Sequence, residues 1–250
     1  MPDRASYYID VDGANEEAVR LAFVWLQQAV ERCAQTPVAL LVVPIKDTLT
    51  RSFAASVLTE AQIRALQKGQ RIPIAGGGLL ELATERKMPY SASGPVLALY
   101  PMQKMLDRID DMHGVTEVLV VPWLRQNVEA WVNTWQAEEI TGKGRGQPPS
   151  LHPMLVEALD TLATLINVSA PNTSDERTAV EVFTLLRGEG VPYDPTEVRA
   201  WLMSKHGFPP RSADIMTKKA AAVQQGKRIR RHRERYLAED IVEQWRGRAG

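Results

Sequence analysis

The stretch Ile9-Asp10-Val11-Asp12-Gly13-Ala14-Asn15 holds the residues best placed for chemistry in this 250-residue chain. Two carboxylates one residue apart, just after a strand, could share a divalent metal and orient a water or a phosphate. Asp-Gly is equally an ordinary turn, and Asn15 an ordinary helix cap. A second candidate is Gly76-Gly77-Gly78, which follows the short strand Arg71-Ile72-Pro73-Ile74-Ala75. With Leu79–Lys87 read as a helix, these glycines would present bare N–H groups to a phosphate or nucleotide at a helix N-terminus. They lack the Lys-Ser/Thr of a P-loop and are not spaced as G-x-G-x-x-G. His113, His152, His206 and His232 are scattered, with no H-x-x-x-H pair, and no G-x-S-x-G elbow marks a nucleophile.

The seven residues from Ile9 to Asn15 resemble two family motifs. One is the D-x-D nucleophile strand of haloacid-dehalogenase-type phosphatases; the other is the D-G-x-N start of NYN/PIN-like ribonucleases. The first resemblance implies phosphotransfer and the second metal-dependent cleavage, each using Asp10 and Asp12. The chain departs from the first pattern by lacking a threonine soon after Asp12. It departs from the second because later strands end in Tyr100-Pro101 and Pro122-Trp123, which offer no metal ligand. No family is recognised over a useful length.

Charge is unevenly distributed although the formal net charge is +0. Residues 205–235 hold ten Lys or Arg against Asp214 and Glu234, a net of +8, while the first 140 residues carry −4. The basic set is centred on Lys218, Lys219, Lys227, Arg228, Arg230, Arg231, Arg233 and Arg235. Such a block neutralises phosphates and releases counterions, the sequence-independent part of nucleic-acid affinity. Around it, Asp175–Gly188, Pro195–His206 and Ser212–Gln225 read as three helices separated by glycine turns. That pattern suits a helix-turn-helix-like module with Ser212–Gln225 in a groove. The same block also suits a solvated face or an acidic protein partner.

The elements that must position these residues follow from hydrophobic periodicity. Three times an apolar run meets a proline and then a helical pattern: Val38–Pro44, Val96–Pro101 and Val118–Pro122. Continuous β-branched runs read as strands buried on both faces, and proline is tolerated in a first helical turn. Val19, Ala22, Phe23, Leu26 and Val30 give Glu16–Ala34 a helical stripe. Strands alternating with helices imply a parallel sheet, expected here as four or five strands in a Rossmann-like, doubly wound α/β layer over 1–140. Ligands of such sheets bind beyond the carboxyl ends of the strands. Trp131 and Trp135 share a helix face with Val128, and Trp123 follows a strand–Pro junction. Core packing or a partner interface at Trp123 and Trp131 both fit that placement.

The Gly-, Pro- and charge-rich stretch 141–150 reads as a flexible linker, and 151–250 as a separate, basic, all-α domain. Hydrophobic residues make up 44%, a soluble globular composition. No apolar run reaches the length of a membrane span and no leader is evident, so no membrane partner is expected. Cys33 is the single cysteine, which rules out an internal disulfide and fits a reducing cytoplasm.

The expectation is a nucleic-acid-binding accessory or regulatory protein with DNA or RNA as partner. Its α/β domain would dock a protein or sense a ligand, and no cofactor is required. Two alternatives are a nuclease or phosphotransfer enzyme with a divalent metal at Asp10 and Asp12, and a non-enzymatic subunit of a larger complex.

Overall fold

The computed structural model describes residues 4–33, 35, 37–142, 144–227 and 236–250. Close contacts divide the chain into two compact units, 2–147 and 148–250.

In the first unit, β1 (Ala5–Tyr8) leads to α1 (Glu16–Glu31). The Asn15 side chain caps α1 by accepting from the Ala18 amide at 2.8 Å, and Glu16 and Glu17 oppose the helix dipole in its first turn. β2 (Val38–Val43) follows, then α2 (Thr48–Arg51) and a 3-10 turn at Phe53–Ser56. α3 (Glu60–Gln67) opens on a reciprocal capping box between Thr59 and Gln62. The rest of the unit is β3 (Ile72–Ile74), β4 (Gly78–Thr84), β5 (Val96–Leu99), α4 (Gln103–Asp110), β6 (Glu117–Val121), α5 (Glu129–Trp135) and β7 (Glu138–Glu139).

The seven strands form one sheet in the order β3-β4-β2-β5-β6-β1-β7. It is parallel except for the β3–β4 hairpin. Side chains alternate between its two faces. Leu41, Val43, Leu97, Leu99, Leu119 and Val121 pack under α1, α2 and α3. Leu40, Val42, Val96, Ala98, Val118 and Val120 pack against α4 and α5. Helices therefore cover both faces, which is why the central strands read as unbroken apolar runs.

Two expectations are corrected. The sheet has seven strands rather than four or five, and Leu79–Lys87 is not a helix but holds all of β4 after its first residue, Gly78. Leu79, Leu80, Leu82 and Ala83 suit a helical stripe as well as a strand, and all are good helix formers. Pairing along the whole of β2, from Val38 beside Leu79 to Val43 beside Thr84, overrides that local preference. β7 escaped notice because it is two residues long and follows α5 directly. The break comes at Gln136, which turns into the left-handed region at φ +48.

Residues 144–147, part of the stretch 141–150 expected as linker, carry hydrogen bonds to the end of the sheet unit. The Ile140 amide donates to the Tyr8 carbonyl, and the Glu139 amide to that of Gly144. The Gly146 amide donates to Ala137, and a Cβ at Gly146 would run into the Val132 carbonyl. Glycine here permits close backbone approach.

The described residues of the second unit hold five helices and no strand. They are α6 (Pro153–Leu165), α7 (Thr173–Gly188), α8 (Pro195–His206), α9 (Pro210–Gln224) and α10 (Ile241–Ala249). Asn172 and Asp175 form a capping box on α7, and the Asp194 side chain accepts from the Thr196 amide at 2.6 Å to cap α8. Phe183, Phe208 and Trp245 are fully buried, and the Trp245 indole N–H donates to Thr161 Oγ1 at 2.8 Å. Among the described residues no helix is long and apolar enough to cross a membrane.

Candidate functional site

The carboxyl ends of β1, β2, β5 and β6 bring four sequence-distant stretches to one edge of the sheet. Val42 lies beside Ala98 and Leu99 beside Val121, so the residues after β2, β5 and β6 emerge next to one another. At the β1–β6 end, Arg125 holds both acids of the Asp10–Asp12 pair. Its Nη1 donates to both Asp10 carboxylate oxygens at 2.9 Å, and its backbone amide donates to Asp12 Oδ1 at 2.6 Å. The Gly13 amide donates to the Trp123 carbonyl at 2.6 Å, closing the turn on the same loop.

The arrangement is a clamp between two loops, in which a guanidinium already supplies the positive charge. A divalent ion at Asp10 would have to displace it. Among the described residues no three His, Cys, Asp or Glu side chains gather into a group able to hold a metal. Arg125 went unremarked in the sequence, although it lies three residues beyond the third strand–Pro junction, where a site would be sought.

Tyr100 leaves β5 at φ +57, an uncommon conformation for a bulky side chain. Its amide donates to the Val121 carbonyl at 2.7 Å, its hydroxyl is buried with no partner among the described residues, and burial pushes its pKa up. Its ring meets Trp123 edge-on, with centroids 5.4 Å apart. Trp123 is 47% exposed, and Ile45, Met102 and Leu124 are exposed at the same edge. The expected interface residue Trp123 therefore stands at the surface in an apolar rim.

Trp131 does not: of core packing and a partner interface, the two readings left open for it, its burial favours core packing. It is 1% exposed because its face of α5 turns toward the sheet. Its indole N–H donates to Asp110 Oδ1 at 3.1 Å, and that of Trp135 to Asp110 Oδ2 at 3.1 Å. The Arg4 guanidinium pairs with the same carboxylate and also donates to the Ile109 carbonyl. Burial pushes the Asp110 carboxyl above its ordinary range, while Arg4 and the two indoles pull it down. This cluster fastens the start of β1 to the ends of α4 and α5. A buried and a half-buried indole on one helix face each need an acceptor, and that was the available sequence signal.

Gly76, Gly77 and Gly78 also change meaning. They close the β3–β4 hairpin, with Gly76 at φ +91 and Gly77 at φ +85. A strand follows them, so the helix N-terminus that would have bound a phosphate is missing. A Cβ on Gly76 would lie 2.8 Å from Glu31 Cγ, and one on Gly78 2.8 Å from Val30 Cγ1, so glycine is needed here for packing against α1.

In the second unit, α8 and α9 are joined by Gly207-Phe208-Pro209 alone. Gly207 adopts φ +72, and the buried Phe208 pins the turn. Pro210 starts α9 where a missing N–H costs nothing. Ser212, Ala213, Met216, Ala220 and Val223 form the inner stripe of α9. Arg199 of α8 donates to Asp214 at 2.7 Å, and Arg187 of α7 donates to the Val223 carbonyl at 2.8 Å. Lys219 lies beside the inner stripe and pairs with Glu176 of α7 at 2.6 Å. Lys218 and Lys227 are exposed, as is Arg211. Arg228, Arg230, Arg231, Arg233 and Arg235 lie outside the described residues.

Residues 151–246 match a family described as a domain of unknown function, DUF1889. No curated protein matches the chain. A crystal structure of a protein from Salmonella typhimurium is 29% identical, covering 38% of this chain and 94% of its own, with a TM-score of 0.33.

Proposed function

We propose that this chain is a nucleic-acid-binding accessory or regulatory protein of the cytoplasm. In this reading residues 151–250 are a separate, basic, all-α domain that grips phosphates. The first unit is a Rossmann-like domain that docks a protein partner or senses a ligand at the rim around Trp123. No cofactor is called for.

The observation that carries the reading is the α8–α9 pair. Two helices joined by a three-residue, glycine-containing turn are the framework of helix-turn-helix modules. The second of them leads through exposed Lys227 into the most basic stretch of the sequence. Direct contact with phosphates makes affinity fall steeply with salt, by about 0.9 in the log–log slope for each phosphate neutralised on duplex DNA. Titration of the full chain with labelled DNA and RNA at several salt concentrations tests this. A slope corresponding to several phosphates is expected. Absence of binding, or binding indifferent to salt, would overturn the reading.

A further inference from the structure

Resting on that reading, we infer that the ligand is duplex DNA entered from the major groove by α9, with Arg211 meeting base edges and Lys218 a phosphate. The argument starts from the two faces of α9. Its inner stripe is buried against α7 and α8. The opposite stripe runs through Arg211 and Lys218 and continues to Gln225 at the C-cap, each exposed and each seven residues from the next. Seven residues are close to two turns, so these side chains stand in one row, about 10 Å apart along the axis.

Between them lie Ile215 and Ala222, both half-buried. Asp214 is the acidic group nearest the row, and Arg199 already holds it at 2.7 Å. Neither the Arg211 nor the Lys218 side chain has a hydrogen bond or ion pair with a described residue.

Helix-turn-helix modules place the N-terminal residues of their second helix against base edges. Arg211 is the second residue of α9, and arginine is the side chain that reads guanine through two parallel hydrogen bonds. Lys218 lies two turns later, where the groove wall and its phosphates rise.

The chemistry of the surroundings selects duplex DNA over the other nucleic acids. Single strands are held by stacking bases on exposed aromatic rings. α9 has no aromatic residue, and Phe183, Tyr193, Trp201 and Phe208 around it are all buried or half-buried. The major groove of duplex RNA is too deep and narrow to admit a helix, whereas that of B-form DNA accepts one.

The test uses the full chain and a randomised duplex DNA pool, from which bound sequences are selected. The best duplex is then compared with its single strands and with the RNA duplex of the same sequence. Binding is expected to favour duplex DNA. Arg211→Ala should lose about 5- to 150-fold on the selected sequence and little on random duplex. Lys218→Ala should weaken both equally and reduce the salt slope by about one. Both side chains are exposed, so circular dichroism melting should be unchanged and will separate contact loss from misfolding.

Equal or tighter binding to single strands or RNA duplex overturns this inference and leaves the broader reading standing. So does a pair of silent variants beside a loss of binding when Arg230, Arg231 and Arg233 are changed to alanine. Failure to bind any nucleic acid overturns both.

Discussion

Arg4–Asp110 and Arg125–Asp10 are both arginine–carboxylate pairs of the α/β unit. The side chains of the first are 3% and 2% exposed; those of the second are 52% and 43% exposed. The first joins a sealed cluster with two indole donors, and the second clamps two loops in water. Charges taken out of water interact strongly but leave a heavy penalty if one partner is lost, whereas exposed pairs are screened and replaced by hydration. The comparison teaches that the carboxylate with the most chemical promise in sequence is energetically minor, and that Asp110, which no sequence motif marks, holds elements together.

The largest expected effect tests the buried side of that contrast. Arg4→Ala leaves Asp110 buried beside two indoles without its cation, and should cost about 3–5 kcal/mol in urea unfolding. A loss below ~1 kcal/mol would mean that the cluster is not the fastening it is taken to be.

The sign of the pH effect sharpens it further. Burial raises Asp110 above its ordinary value of 3.8, so the folded state keeps this proton where the unfolded chain has released it. Its contribution to stability is fully present below that ordinary value and declines as the pH rises toward the folded value. Asp110→Asn cannot titrate. The stability difference between wild type and this variant should therefore be most favourable to wild type near pH 4 and shrink toward neutrality. A difference that stays flat from acid to neutral pH would contradict the raised value.

Gly146→Ala comes next. It would press a methyl group into the Val132 carbonyl and should cost about 1–3 kcal/mol, read from the thermal midpoint. A free linker would tolerate it without change. Arg125→Ala breaks the exposed clamp and should cost no more than about 1 kcal/mol. A loss as large as that of Arg4→Ala would erase the contrast between the two pairs. Lys218→Ala should fall within about 0.5 kcal/mol of wild type, since the side chain is exposed.

Much of the fold was legible because periodicity and caps act locally. α1 is marked by Val19, Ala22, Phe23, Leu26 and Val30 and by the Asn15 cap, and α8 by Asp194-Pro195 at one end and Gly207 at the other. The central strands β2, β5 and β6 were visible as apolar runs because helices cover both their faces. β4 was misread because leucine, glutamate and alanine spaced as Leu79–Ala83 satisfy either period, and only pairing with β2 decides between them. The candidate sites were legible in part. Trp123, Asp10, Asp12, Lys218 and Lys227 were named from sequence and lie at the surface. Trp131 was placed on the correct helix stripe, but which way that stripe faces is a tertiary property.

The sequence by itself determined the strand–proline junctions, the caps, the single cysteine and the basic block at 205–235, because each depends on residue type or on neighbours a few positions away. Only the tertiary structure decided which charges meet. Arg125 reaches Asp10 across 115 positions and Arg4 reaches Asp110 across 106. Whether such a pair is sealed or solvated depends on the layers packed over it, and no local pattern of residues carries that information.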